Sequence, residues 1–210
     1  MTELDVALSD FAIAVECGVF AIACARRPRS RLRDAFMAVF ALTAVAAVTG
    51  GVVHGFASDP ASVGYRVLWP TTLLAIVGSS AALAFGGLAL LHADSRLRLV
   101  IWFGALAFGV AILLGAQSFA LAVGAYVPAS LLLAYAFAKR YGSTREERMA
   151  CGVSGLVLGV GAGGLQQLSV TPWPELLSPN AFYHLLQLLA LALLFAASAE
   201  RNAPGPQTDS

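Results

Sequence analysis

The C-terminal run NAFYHLLQLLALALLFAAS, residues 180–198, is long and apolar enough to cross a bilayer, yet its first turns carry Asn180, His184 and Gln187. Spaced i, i+4 and i+7, these three share one helical face. Polar groups inside a membrane segment are costly; they turn toward a bundle interior and mark functional sites. Other groups of comparable chemistry are Asp10 and Glu16 in the first apolar run, His54 at the end of the second, and Gln166 beside Gln167 at the end of the sixth. Two imidazoles with one or two carboxylates are the donors of a zinc site that keeps an open position for water. Bound zinc would bring that water's pKa toward neutrality and supply a nucleophile. The same residues equally suit a proton relay or a pH-sensing pair. His54 and Asp10 also suit a wetted membrane interface, and the glutamines an interhelical hydrogen bond. Glu16 lies deeper, where a carboxylate must be protonated, paired or metal-bound.

The elements that must position these groups follow from composition. The 210 residues are 59% hydrophobic and 12% charged, with a mean hydropathy of +0.78. A soluble domain carries about 25% charged residues, so this chain is expected to be an all-α, polytopic integral membrane protein. Apolar runs at about 6–25, 35–56, 67–91, 99–115, 119–138, 150–170 and 180–198 predict a seven-transmembrane-helix bundle, one membrane domain over 1–200 and a disordered tail over 201–210. Trp69 and Pro70 suit the entrance of the third span, and Pro128 a kink within the fifth. MTELDVALSD has no basic n-region, which argues against a cleaved signal peptide. Cys17, Cys24 and Cys151 are expected to be buried small apolar residues. Gly155, Gly159 and Gly163, and likewise Gly78, Ala82 and Gly86, recur at four-residue spacing, the pattern of a helix-packing seam.

The basic residues set the orientation. Twelve of the thirteen fall in RRPRSRLR, HADSRLR, KRYGSTREER and the tail at Arg201, all on one side of a seven-span layout; Arg66 alone lies on the other. Lysine and arginine collect in the cytoplasm, so the N-terminus is expected outside and the C-terminus in the cytoplasm, consistent with a bacterial inner membrane. Counting depth at about 1.5 Å per residue places Asp10, His54, Gln166 and His184 within roughly 3 to 6 Å of the outer boundary. Gln187 sits about a turn deeper, and Glu16 about 15 Å in. The cytoplasmic halves hold almost nothing comparable, which predicts an outward-facing polar pocket lined by the first, second, sixth and seventh helices.

Several functions are set aside. The basic loops are sorted by membrane side, so they give no sign of a nucleic-acid partner; membrane lipid and a lipid or small-molecule ligand are the expected partners. The only lysine, Lys139, lies in a loop, so no retinal Schiff base is expected in the last helix. Phosphate loops, Ser–His–Asp patterns and CxxC pairs are absent from the sequence.

Seven spans with a histidine ending the second and another opening the seventh resemble the superfamily of alkaline ceramidases and progestin/adipoQ receptors. Its members bind zinc through a second-span histidine and an HxxxH pair in the seventh span, assisted by a serine four residues before the first histidine and an aspartate in the third span. The resemblance implies a metal-dependent lipid amide hydrolase. His54 and His184 match ligand positions; Gly50 stands where the serine would be, and Asn180 or Leu188 where the second histidine of the pair would be. Under this reading the metal set is His54, His184 and Glu16, with Asp10 as an alternative. The chain also resembles an uncharacterised bacterial seven-span family with TGGxxHGF in the second helix and NxxYHLxQ in the seventh, here Thr49–Phe56 and Asn180–Gln187. The alternative to a hydrolase is a non-catalytic receptor, sensor or small-molecule carrier that uses the same pocket.

Overall fold

The computed structural model describes residues 3–199. The tail at 201–210, with Arg201, lies outside the described residues. Seven helices occupy almost all of the rest: α1 (Leu4–Ala25), α2 (Arg31–Phe56), α3 (Val63–Leu90), α4 (Ser95–Leu113), α5 (Phe119–Thr144), α6 (Glu147–Gln167) and α7 (Pro179–Ala197). Each is long and apolar enough to cross a membrane, and among the described residues there is no strand. The protein is an all-α, seven-helix integral membrane bundle.

Serine hydroxyls cap the starts of α2, α3, α5 and α7. Ser30, Ser62 and Ser178 each accept a bond from the backbone N–H three residues on, satisfying a donor that the first turn leaves free. These caps shift two expected boundaries. Arg31 and Arg33 belong to the first turn of α2 rather than to a loop, and Arg33 reaches back to the terminal carbonyls of α1 at Cys24 (2.9 Å) and Ala25. Pro70 lies inside α3, because the Ser62 cap starts that helix well before it. At the far end of α5, Lys139 and Arg140 are helical; the chain turns only at Arg145, which adopts a left-handed conformation.

The helices close a ring in the order α1, α2, α3, α5, α6, α7 and back to α1. Helix α4 stands outside it, resting mainly on α3 through Phe85 and Trp102, with Phe103, Leu106 and Leu113 exposed. Small residues set the close approaches. A Cβ on Gly51 would meet Asp10 Cβ at 3.1 Å and the Ala7 carbonyl at 3.3 Å, and one on Gly55 would meet Ala7 Cβ at 3.2 Å, so α1 and α2 touch nearly backbone to backbone. In α3, Gly78 receives Leu42 of α2 and Gly86 receives Leu133 of α5. Cys17 and Cys24 are buried, whereas Cys151 is half-buried.

The two ends of the ring are filled differently. Toward the arginine-rich end, Phe20, Phe36, Phe40, Phe137 and Phe195 from α1, α2, α5 and α7 interlock, with Phe20 stacked on Phe195 at 4.2 Å and edge-on to Phe40 at 5.3 Å. Arg27 lies over the Phe195 ring at 4.8 Å and donates to Ser198 Oγ at 2.8 Å. Five large rings pack against one another there. At the opposite end small residues such as Ala46, Gly50, Gly163 and Gly164 line the ring, and a cavity remains.

Candidate functional site

The cavity has a volume of about 520 Å³ and takes side chains from all six ring helices. Among the described residues, none of α4 reaches it. Asp10, His54, Gln166, Asn180, His184 and Gln187 all lie on its wall, and Glu16 does not. The lining is wider than the four helices expected, because α3 and α5 contribute Trp69, Thr72, Ser79 and Tyr126. Those residues are individually inconspicuous. Thr72, Ile76 and Ser79 do fall at i, i+4 and i+7, but hydroxyls in a membrane helix are usually satisfied by their own backbone. Thr72 indeed donates to the Leu68 carbonyl at 3.0 Å, and its oxygen lies 2.8 Å from Thr49 Oγ1.

His184 is flanked on both sides by residues of α1. Its Nδ1 lies 2.9 Å from Ser9 Oγ, and Ser9 in turn donates to the Val6 carbonyl at 2.9 Å. A hydroxyl has a single proton. With that proton on the Val6 carbonyl, Nδ1–H is the donor to Ser9, which assigns the tautomer and leaves Nε2 unprotonated in the neutral ring. Nε2 faces Asp10 Oδ1 at 3.6 Å, close but beyond hydrogen-bonding distance. Asp10 is buried, 7% exposed, and among the described residues its carboxylate has no partner within hydrogen-bonding distance. Ser9 is invisible to a sequence reading because nothing local shows that it meets a residue 175 positions away.

The chain matches, over residues 6–203, a family model described as a family of unknown function, DUF6962. It belongs to that family. No curated protein and no solved structure matches it.

At the mouth of the cavity, polar contacts tie the helix ends together. Gln167 Nε2 donates to Gln166 Oε1 at 2.6 Å, and Gln166 Nε2 donates to Asn180 Oδ1 at 2.7 Å, linking α6 to α7. The Ser178 N–H donates to Asp5 Oδ2 at 2.9 Å, linking α7 to α1. His54 Nδ1 lies 2.6 Å from Glu3 Oε2, and the Glu3 N–H donates to the His54 carbonyl at 3.2 Å, linking α1 to α2.

The structure does not bring the expected metal set together. His54 is engaged by Glu3 and His184 stands beside Asp10. Glu16 is half-buried outside the cavity lining, and its Oε2 has no hydrogen-bond partner among the described residues. Six residues separate Glu16 from Asp10, about two-thirds of a turn beyond one full turn, so the two carboxylates point to different faces. Among the described residues no group of three His, Cys, Asp or Glu side chains is placed to hold a metal ion. His54, His184 and Glu16 therefore do not fit zinc, and no step through a metal follows from them.

The α6 glycines divide by depth. A Cβ on Gly155 would strike the Ala190 carbonyl of α7 at 2.7 Å, and one on Gly159 would meet Tyr126 Oη at 3.0 Å. On Gly163, which lines the cavity, a Cβ would meet nothing within 4 Å. The same spacing thus makes a packing seam at depth and an open cavity wall near the mouth.

Proposed function

We propose that this protein binds a small amphipathic molecule in the ring cavity, as a receptor, sensor or carrier in a bacterial inner membrane. One observation carries the reading: a cavity of about 520 Å³ whose apolar wall is interrupted by polar side chains converging from separate helices. That volume is within the range of about 300–1,000 Å³ common to small-molecule sites, and a few placed polar groups on an apolar wall are their usual lining. Binding fits this geometry better than hydrolysis of a lipid amide. The ceramidase-like reading calls for a metal set that is not gathered, and Ser9 spends its proton on the Val6 carbonyl behind His184.

Native mass spectrometry of the protein released from nanodiscs tests this. A reproducible bound mass on the folded monomer, retained from several lipid compositions, is the expected result. Bare protein from every preparation would sink the reading.

The cavity faces outward in this proposal, with the N-terminus outside. Arg27, Arg33, Arg148 and the α5 end lie at the closed end of the ring, and basic residues are retained on the cytoplasmic side. In a Cys151→Ser background, a membrane-impermeant maleimide applied to intact cells should label Ser58→Cys in the α2–α3 loop and spare Gly142→Cys at the end of α5. The reverse pattern would invert the protein.

A further inference from the structure

We propose that the cavity selects a protonated amine carried on an apolar body, and that Asp10 and His184 Nε2 are the two acceptors that bind its N–H groups; this rests on the ligand-binding reading above. The two groups form an incomplete pair. Asp10 Oδ1 and His184 Nε2 lie 3.6 Å apart on the cavity wall. The Ser9–Val6 bond leaves the imidazole proton on Nδ1, so Nε2 presents a lone pair. With Asp10 ionised and the ring neutral, two acceptors face each other with no proton between them. Acceptors in that arrangement are complemented by a group with several donors, and an ammonium has three.

Charge points the same way. Among the described residues Asp10 is the only carboxylate on the cavity wall, and no lysine or arginine lines it. A buried carboxylate whose neighbour is a neutral imidazole beyond hydrogen-bonding distance is costly, and a cationic ligand relieves that cost. An anionic head group would meet the reverse: a like charge and no basic residue. The walls also carry Trp69, Phe119, Tyr126 and Tyr183, aromatic rings of the kind whose faces attract organic cations. Ile13, Ala47, Val123 and Val127 add purely apolar surface, which suits a hydrocarbon body. Gly50 and Gly51 bring α2 against Asp10, with 3.4 Å from a Gly50 Cβ to Oδ2, so the carboxylate is held in place by packing rather than by hydrogen bonds.

Octylamine, octanol and octanoate share one tail and differ in head group, which makes them the test. Each is titrated by calorimetry into full-length protein in nanodiscs of zwitterionic lipid, and Gly163→Phe, which fills open space at the cavity wall, subtracts partitioning into the bilayer. Octylamine is expected to bind about tenfold more tightly than octanol, the scale of a charge-assisted hydrogen bond, with octanoate weakest. Asp10→Asn should abolish that preference, with an unaltered size-exclusion profile and melting temperature showing that the variant folds; Asp10→Glu should keep the preference. Octanol or octanoate binding as tightly as octylamine overturns the amine assignment alone. So does a preference that survives Asp10→Asn or is lost in Asp10→Glu. No saturable, Gly163→Phe-sensitive binding by any of the three overturns the pocket reading as well.

Discussion

Gly155→Leu is expected to leave no monodisperse protein after detergent extraction, whereas Gly161→Leu on the same helix should extract and elute like the unaltered chain. At Gly155 the added Cβ lands 2.7 Å from the Ala190 carbonyl, 3.1 Å from Leu193 Cβ and 3.2 Å from the Leu194 nitrogen. Two of those atoms are backbone of α7 and cannot rotate aside. The helices would have to separate, and in lipid there is little hydrophobic force to press them together again. Overpacking a close contact by single methylenes costs about 1–3 kcal/mol, and four carbons against a rigid backbone reach or exceed the top of that range. Gly161 is exposed, and a Cβ there meets nothing within 4 Å. Size-exclusion profiles and melting temperatures of the two variants make the comparison. A Gly155→Leu protein that elutes and melts normally would show that α6 and α7 do not approach this closely.

The second large effect is expected at Gly163. Gly163→Phe should remove the bound molecule without loosening the bundle, because its Cβ enters open space while its ring occupies cavity volume. Excluding a ligand from part of its site at a cost of only about 1.4 kcal/mol lowers affinity tenfold, and an aromatic ring in a cavity of about 520 Å³ obstructs more than that. The paired control is Gly161→Phe, on the exposed side, which should keep both fold and ligand. Native mass spectrometry reads retained ligand and thermal unfolding reads the bundle. Equal ligand in the two variants would remove the cavity from the binding site; a lowered melting temperature in Gly163→Phe alone would show that α6 packs on other residues there.

The features legible in the chain itself are local ones. The seven spans, the polar face of α7 and the shared depth of Asp10, His54, Gln166 and His184 follow from run length, helical periodicity and distance from a charged loop. All four of those residues reach the cavity wall. Glu16 has the depth of a site residue but lies outside the lining, because depth along a helix says nothing of which way a side chain points in the bundle. The helix boundaries at Arg31, Val63 and Thr144 differ from those expected because capping hydroxyls and continued backbone bonding decide them, not hydropathy.

The sequence by itself determined that this is a seven-helix membrane protein with all but one of its basic residues toward one end and a polar layer toward the other. Tertiary structure alone decided that α4 stands outside the ring, that α3 and α5 complete the cavity, that His54 meets Glu3 and that Ser9 and Asp10 flank His184. The physical reason lies in the solvent. Lipid and the bundle interior are equally apolar, so hydropathy cannot tell a lipid-facing side chain from one packed on a neighbouring helix. That choice is made by shape, through glycines at Gly51, Gly55 and Gly155 and through five interlocked phenylalanine rings, each a contact between residues far apart in the chain.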